Sequence, residues 1–509
     1  MEYILNSRQM YAAESAAVAR GGSFLDLMER AGCGCAAEIL NRIAPDANVC
    51  VLVGSGKNGG DGYVIARELH RAGCNVDVLQ LYGAPRAEDA ITNCKRAKKL
   101  GIHMTDYTGE HAAAKLIADA DAVVDAVFGT GFHGEADDTL REIAEIVAQK
   151  EKKVFAVDVP SGAEADTAAV NGAVLRADVT IAIAAKKPIH ILKPNWDVCG
   201  ETVLIDIGIL PEELEQAAEK PTTVWTDDDI KSTLPARPAV SNKGTFGHAL
   251  CICGSRRMTG ACVLSVMGAL RSGAGLVTAA FPEDAYAAIA PQLTEPLLCP
   301  LPANSEGTAT ADAMRQLRPL MRKASAILIG CGLGLNNDTL ALTRTVLLEA
   351  TCPVILDADG INALAPHIDE LKRVRAPLVL TPHPGEMQRM TGRPIAKILE
   401  DPKAAAAKLA SDLGCTVLLK GANTVITDGS RAVINCTGNS GLARGGSGDL
   451  LAGILTGLCA QGTAPFEAAC AAAYLHGKAA DLTAEATSAR GMLPSDVLAM
   501  LPRLFSIYE

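Results

Sequence analysis

Val49–Gly62, VCVLVGSGKNGGDG, sets five apolar residues directly against a glycine-rich turn. An unbroken apolar run of that length suits a strand buried on both faces, as in a parallel sheet covered by helices on each side. Glycines at 54, 56 and 59 complete a G-x-G-x-x-G, and Asp77 follows about 20 residues on, the pattern of a dinucleotide-binding strand, turn and helix. Alone the pattern is weak. The spacing predicts a helix through Tyr63–Arg71 with Asp61 in its first turn, where a pyrophosphate would need open amides. Asn58 adds a side-chain carbonyl, so anion cradling and cation coordination are both open. A turn that is glycine-rich only for tight strand–helix packing is the competing reading. A Walker loop is excluded, because Lys57 lacks the required glycine spacing.

Outward from this stretch, short β-branched runs alternate with Ala-rich helical stretches along most of the chain. In the first half strands are expected near Val49–Val53, Val76–Leu81, Ala122–Phe128, Val154–Val159, Val179–Ala184 and Val203–Ile207. The pattern breaks after Ile209, where Pro211–Pro221 is charged and flanked by prolines and Leu234–Pro238 is irregular. It restarts with Ala249–Cys253, Leu276–Ala280, Ala326–Ile329, Val354–Leu356, Leu378–Leu380, Thr416–Leu419 and Thr424–Thr427. The expectation is a domain over 1–215, a linker over 216–233 and a second domain over 234–509. At roughly 150 residues per domain, a length of 509 fits two large α/β domains. Their glycine loops differ too much for an internal duplication.

Composition narrows the partners. Hydrophobic residues make up 49% and charged residues 21%, which argues against disorder. The net charge is −11 and no Lys/Arg run occurs, so capture of nucleic acid or of an anionic membrane is disfavoured and a small-molecule partner is expected. Met1–Arg20 has no continuous apolar core of a secretory signal and no 18-residue apolar run exists, so a soluble cytoplasmic protein is expected. The 16 cysteines are scattered without a C-x-x-C pair and read as reduced, buried thiols. A homo-oligomer is expected.

Two more loops of the first half leave predicted strand ends, Asp125-Ala-Val-Phe-Gly129-Thr130-Gly131-Phe132 and Asp158-Val-Pro-Ser161-Gly162. A carboxylate closing a buried strand loses hydration unless a ligand, ion or donor compensates it. Asp158 as a turn cap and Asp125 as an inward structural carboxylate are the plainer readings. Together with Leu27-Met-Glu-Arg-Ala-Gly32 and Asn58-Gly-Gly-Asp-Gly62, these motifs resemble the NAD(P)H-hydrate (NAD(P)HX) epimerase domain over nearly the whole first half. The resemblance implies a Rossmann-like three-layer α/β/α domain that interconverts R and S epimers of hydrated NAD(P)H with a bound potassium ion. It implies that Asn58, Asp125 and Ser161 give oxygens to K+. It also implies that Lys57, Asn58, Gly59, Gly60 and Asp61, the loop Gly129, Thr130, Gly131, Phe132, His133, Gly134 and Glu135, and Asp158 line the hydrate pocket. Members of that family often have Asn where Lys57 stands, so an ionic contact is expected there. Epimerising a C6 hydroxyl beside the ring nitrogen requires loss and re-addition of water through an iminium-like cation, and Asp158 is the expected acid/base.

In the second half Gly330–Gly334, Asp357–Asn362 and Thr381–Glu386 each follow a predicted strand end. Gly445-Gly-Ser-Gly448-Asp449 runs straight into the helix expected at Leu450–Leu458. Small residues leave amides open at a positive helix terminus suited to phosphate, with Asp449 one step away as base for a hydroxyl. A plain acidic cap explains Asp449 alone but not the four small residues before it. Likewise His383, between two prolines, fits either a turn or a ligand contact. Lys243-Gly-Thr-Phe-Gly-His248, Arg271-Ser-Gly-Ala-Gly275, Thr381-Pro-His-Pro-Gly-Glu386 and Gly445–Asp449 resemble the ribokinase-like superfamily and, within it, the ADP-dependent NAD(P)H-hydrate dehydratase. The resemblance implies a ribokinase-like α/β domain that phosphorylates the C6 hydroxyl of the S hydrate from ADP or ATP, with Mg2+, and eliminates phosphate to restore NADH or NADPH. Ala274, Gly332, His383 and Asp449 would contact NADHX or NADPHX; Lys420, Gly421, Ala422, Asn423, Thr424 and Gly448 would hold the nucleotide. Arg444 stands where relatives frequently have Thr. Two other readings remain open at this point: a small-molecule kinase with an accessory domain, and a first domain that only binds a ligand or RNA.

Overall fold

The computed structural model describes residues 1–509. The chain divides into two compact units, Glu2–Pro221 and Thr222–Glu509, each with its own sheet and its own apolar cores. No helix is long and apolar enough to cross a membrane.

The first unit opens with a two-residue strand β1 (Glu2–Tyr3) and two helices, Ser7–Ala19 and Phe24–Leu40. Its sheet contains β2 (Asn48–Val53), β3 (Asn75–Gln80), β4 (His103–Asp106), β5 (Ala122–Ala126), β6 (Lys153–Val157), β7 (Val179–Ile183) and β8 (Glu201–Ile205). The order is β4-β3-β2-β5-β6-β7-β8 and every pairing is parallel. Alternate residues of β2 enter different cores: Val49, Val51 and Val53 pack with Tyr63 and Leu69, whereas Cys50 and Leu52 pack with Ile117 and Leu140. Both faces are therefore covered by helices, which explains why β2 reads as a continuous apolar run. Strand β4 is not among the expected strands; none of its residues is fully buried, so its sequence carries no apolar run. The order reverses between β2 and β5, where a doubly wound sheet leaves a crevice at its C-terminal edge. Glycine is needed there, since a Cβ on Gly54 would stand 2.1 Å from the carbonyl oxygen of Val127.

The helix after β2 runs over Lys57–Arg71 and begins six residues before the predicted start. Asp61 consequently lies in the second turn, not the first, and the amides of Lys57 and Asn58 head the helix. The glycines that make this segment look like a loop are accommodated by close packing: a Cβ on Gly59 would meet the Gly54 carbonyl oxygen at 2.1 Å.

The second unit has strands β9 (Thr222–Val224), β10 (His248–Ile252), β11 (Leu276–Pro282), β12 (Leu297–Leu301), β13 (Ala326–Ile329), β14 (Val354–Leu356), β15 (Leu378–Leu380), β16 (Thr416–Leu419), β17 (Thr424–Thr427) and β18 (Ala432–Asn435). They are ordered β9-β18-β17-β16-β15-β14-β13-β10-β11-β12. The sheet is not wholly parallel as alternation alone predicts, because β16, β17 and β18 are joined by short turns and pair antiparallel. Helices Thr259–Arg271, Ser447–Ala460 and Pro465–Ala486 cover one face and Met314–Met321 and Asn337–Glu349 the other. Helix Ser447–Ala460 is buried on all sides from Leu450 onward, and its glycine-lined surface lies directly on helix Thr259–Arg271. A Cβ on Gly453 would come within 2.2 Å of the carbonyl oxygen of Ser265. This packing fixes the helix N-terminus, and with it Asp449, at the C-terminal edge of the sheet.

Candidate active sites

In the first unit, Asp158 follows β6 in the left-handed region, φ +65°, a conformation that Asp tolerates better than most residues. Its amide stays tied to β7 through the Ile181 carbonyl at 2.9 Å. Its Oδ1 accepts from the Ile183 amide at 3.0 Å and from Lys187 Nζ at 2.5 Å, and the Lys187 side chain is wholly buried. Lys187 also donates to the Ile183 carbonyl at 2.8 Å. The Lys187 amide donates to His190 Nδ1 at 3.0 Å, which leaves Nε2 to carry the proton and donate to the Asp158 carbonyl at 2.7 Å. Burial, reinforced by the Lys187 charge, pushes His190 down to about 4, so the ring is neutral as that tautomer requires.

Asp158, Ile183 and Lys187 border a cavity of about 480 Å³. Its lining includes Lys57, Asn58 and Asp61 from the helix after β2, Gly129, Thr130, Gly131 and Phe132 from the loop after β5, Asp158 and Lys187 from the segments after β6 and β7, and Met10, Tyr11, Glu14, Phe24 and Met28 from the two N-terminal helices. Burial pushes Asp61 well above the usual carboxylate range, and Asp158 and Glu14 push it further. Glu14 is likewise raised by burial, against the opposing charges of Lys57 and Lys187. The predicted ionic contact of Lys57 is met differently: Nζ makes no salt bridge and lies 4.7 Å from the ring centre of Phe24 and 5.5 Å from that of Tyr11. Those two rings stack at 5.9 Å.

Of the remaining predicted pocket residues, Gly59, Gly60, His133, Gly134 and Glu135 do not line the cavity. Gly60 packs on Met28, and the Gly134 amide donates to Glu164 at 2.9 Å. The structure brings Asn58, Asp125 and Ser161 together beneath the loop that follows β5. Asp125 is fully buried, accepts from the Ser161 hydroxyl at 2.6 Å and amide at 2.8 Å, and has no basic partner; burial pushes it up to about 6. The Asn58 amide donates to the Phe128 carbonyl at 2.9 Å, leaving its own carbonyl oxygen uncommitted. A buried carboxylate without a counter-charge, next to neutral oxygens, fits a weakly hydrated monovalent cation.

In the second unit, loops after β13, β14, β15 and β16 converge on Asp449. Lys420 Nζ donates to Asp357 Oδ1 at 2.8 Å, the Thr381 hydroxyl donates to the same oxygen at 2.7 Å, and Cys331 Sγ donates to Asp357 Oδ2 at 3.6 Å. Ligand atoms of Cys331, Asp357 and Asp449 all lie within 4.8 Å of one another. Burial, with the charge of Asp357, raises Asp449 to about 6. Lys420 is therefore held inward by Asp357 instead of standing free for a nucleotide. Gly421, Ala422, Asn423 and Thr424 form the tight turn into β17, where the Gly421 amide and the Thr424 hydroxyl are 3.3 Å apart. Gly448 lies against this cluster, where a Cβ would stand 3.5 Å from Lys420 Nζ, and Gly332 (φ +64°) packs on Met258 and Ala261. His383 caps helix Pro384–Thr391 by accepting from the Gly385 amide at 3.0 Å, and its Nε2 stands 3.4 Å from buried Glu386. Ala274 is not brought to this cluster: it precedes β11 and so lies at the opposite, N-terminal edge of the parallel sheet. Arg444 is exposed and donates to the Arg490 carbonyl at 2.9 Å.

Sequence reasoning passes over Glu14, Lys187, His190 and the roles of Asp357, Thr381 and Glu386. Lys187 and His190 sit in AAKKPIH, which resembles an exposed basic loop; its position just after a predicted strand end is the available signal. Glu14 carries a fainter one, an acid among the buried positions Met10, Ala13 and Ala17 of its helix.

Comparison with known proteins agrees with this division. Residues 25–189 match the family described as YjeF-related protein N-terminus, and residues 249–503 match NAD(P)H-hydrate dehydratase. A bifunctional NAD(P)H-hydrate repair enzyme Nnr of Moorella thermoacetica is 39% identical over 89% of this chain and 86% of its own. One from Salinibacter ruber is 37% identical over 98% of this chain and 96% of its own. Among solved structures, a ribokinase-like superfamily protein from Enterococcus faecalis covers 56% of this chain and 96% of its own, with 28% identity and a TM-score of 0.50. The ADP/ATP-dependent NAD(P)H-hydrate dehydratase of Bacillus subtilis, co-crystallised with ATP and Mg2+, covers 56% of this chain and 99% of its own, with 35% identity and a TM-score of 0.48. With an epimerase-type unit followed by a dehydratase unit, and with relatives of that kind along nearly its full length, the chain belongs to the family of bifunctional NAD(P)H-hydrate repair enzymes.

Proposed function

We propose that the chain restores NADH and NADPH from their C6 hydrates. The unit Glu2–Pro221 interconverts the R and S epimers, and the unit Thr222–Glu509 dehydrates the S epimer with ADP, releasing AMP and phosphate. The observation that carries this reading is Asp449, a carboxylate raised to about 6 at the head of a buried helix whose entry leaves the Gly445, Gly446 and Gly448 amides open, the Ser447 amide donating to the Arg444 carbonyl at 3.3 Å. A base with such a pKa is ionised at neutral pH and close enough to it to accept a hydroxyl proton. As Asp449 takes the C6 hydroxyl proton, the oxygen attacks the terminal phosphorus of ADP, the phosphoanhydride bond breaks with its electron pair leaving on AMP, and the Gly445, Gly446 and Gly448 amides stabilise the transferred phosphoryl group. The N1 lone pair then expels phosphate, and loss of a C5 proton gives the dihydropyridine. Asp357 and Asp449 would hold Mg2+, which would supply charge neutralisation for the phosphates. Lys420 holds Asp357 in place.

In the first unit Asp158 is the acid/base at C6, anchored by Lys187 and the Ile183 amide. Asn58, Asp125 and Ser161 would hold K+, which would supply a positive charge to offset the buried Asp125 carboxylate. Replacing K+ by tetramethylammonium is expected to slow epimerisation and to lower the melting temperature, with dehydration of pure S hydrate unchanged; equal rates in both media would remove the ion from the site. The decisive assay follows hydrate consumption with ADP and then ATP. Inorganic phosphate together with the reduced-nicotinamide absorbance supports the reading, whereas a stable phosphate ester would identify a kinase instead.

A further inference from the structure

We infer that Glu14 is a second acid/base of the first unit, acting on the face of the nicotinamide ring opposite to Asp158. The inference rests on the epimerase reading and extends it to how inversion is achieved. Exchanging R and S at C6 requires water to leave one face of the ring and to enter from the other, so a proton must be handled on each face. Asp158 serves one face only, because the Ile183 amide and Lys187 hold its carboxylate to the sheet edge. Glu14 lines the same cavity from a different element, helix Ser7–Ala19, which joins neither β6 nor β7. Ser7, at the start of that helix, donates to the Thr130 carbonyl at 2.8 Å and shares Asp166, which fixes the helix against the Gly129–Phe132 loop.

Glu14 makes no hydrogen bond or salt bridge although it is part-buried, so no structural partner accounts for a carboxyl there. Asp61 is also unpartnered and lines the same cavity from the helix leaving β2, so Asp61→Asn is the control that separates the two carboxyls. The titratable groups around Glu14 are Lys57 and Asp61 on helix Lys57–Arg71, Lys187 after β7 and Asp158 after β6; burial outweighs the two lysines and keeps the Glu14 carboxyl above its ordinary range. It is thereby disposed to carry a proton across the cavity from the Asp158 carboxylate.

In one direction Glu14 gives its proton to the C6 hydroxyl, the C–O bond breaks with its electron pair leaving on water, and the N1 lone pair forms the C6=N1 iminium bond. Water adds from the other face, the new C–O bond returns the pair to N1, and Asp158 takes the released proton. The reverse direction exchanges the two roles, and solvent resets both groups.

Glu14→Gln in the full chain, assayed in H2(18)O with K+ present, tests this. Interconversion of R and S is expected to fall roughly 100-fold, in the range of one general acid/base group. Exchange of 18O into the epimer whose hydroxyl faces Asp158 is expected to continue with retention, so the ratio of exchange to inversion rises. Glu14→Asp should recover at least a tenth of the lost inversion, and the persisting 18O exchange in Glu14→Gln reports that the first unit stays folded, while dehydration of pure S hydrate in the second unit is unchanged. Unaltered inversion in Glu14→Gln, exchange and inversion falling in equal proportion, or loss of inversion confined to Asp61→Asn would each overturn the proposal. A wild-type chain that does not interconvert the epimers would overturn the epimerase reading and this proposal together, and is distinguished by that control alone.

Discussion

Asp449 and Asp158 are both carboxylates at strand or helix ends beside a crevice, yet the protein treats them oppositely, and their substitutions should behave oppositely. Asp449 is raised to about 6 by burial and by Asp357, so its ionised form is disfavoured in the folded state relative to the unfolded chain, where the pKa is near 3.8. Above pH 6 this penalty is fully present; it is relieved as pH falls from 6 toward 4. Asp449→Asn is therefore expected to abolish dehydration while raising stability at pH 8 by on the order of 1 kcal/mol, a value discounted for partial exposure. Thermal melts at pH 8 and pH 4.5 check this, the gain vanishing at the lower value. In the wild type, kcat/KM for dehydration should fall as pH drops through about 6. Asp158 is held by a lysine with no exposed side-chain surface. Lys187→Met leaves that carboxylate buried without its cation and is expected to cost roughly 3–5 kcal/mol, with epimerisation lost and dehydration kept. Lys187→Arg should not rescue, because a guanidinium does not fit a pocket closed around an ammonium.

At the scale of elements, the two sites depend on helix starts, and these are unevenly legible. Helix Ser447–Ala460 is readable from the chain because Gly445–Asp449 precedes a long apolar run, whose burial on all sides explains its lack of a polar face. Gly453→Val is expected to force this helix off helix Thr259–Arg271, whose Ser265 carbonyl lies 2.2 Å from the position of the new Cβ. A cost of about 1–3 kcal/mol follows for the second unit, visible as lost dehydration and a lowered melting transition with epimerisation intact. The helix at Lys57 reads from sequence as beginning too late, since its Asn-Gly-Gly-Asp-Gly start has turn composition; only the close approach of Gly54 and Gly59 to neighbouring carbonyls, a tertiary fact, makes those glycines helical or tightly packed. Strands β12, β17 and β18 illustrate the same limit. The β-branched residues of β17 mark it as a strand, but the antiparallel pairing of β16, β17 and β18 depends on turns whose partners are set by the sheet. Glu14 and Lys187 are the clearest case: they are 173 positions apart, 187 minus 14, and only the folded first unit puts both on one cavity.

For the whole molecule, the two sites draw on separate sheets and separate cores, and the residues assigned to each lie entirely within one unit. Nothing in either site's chemistry requires the other's residues; what links them is the S hydrate, the product of one and the substrate of the other. It follows that the activities should be separable by point substitution and recoverable by mixing. Asp158→Ala should dehydrate pure S hydrate but leave pure R hydrate unconsumed, and Asp449→Ala should interconvert the epimers without forming NADPH. A mixture of the two variants supplied with R hydrate and ADP should regain NADPH formation after a lag, because S hydrate must leave one chain and reach another. The lag should shorten as Asp449→Ala is increased at fixed Asp158→Ala, and vanish when S hydrate is supplied directly. A mixture that stays inactive on R hydrate, although Asp158→Ala alone dehydrates pure S hydrate and Asp449→Ala alone releases S hydrate from R hydrate, would overturn the reading in which free S hydrate links the two steps.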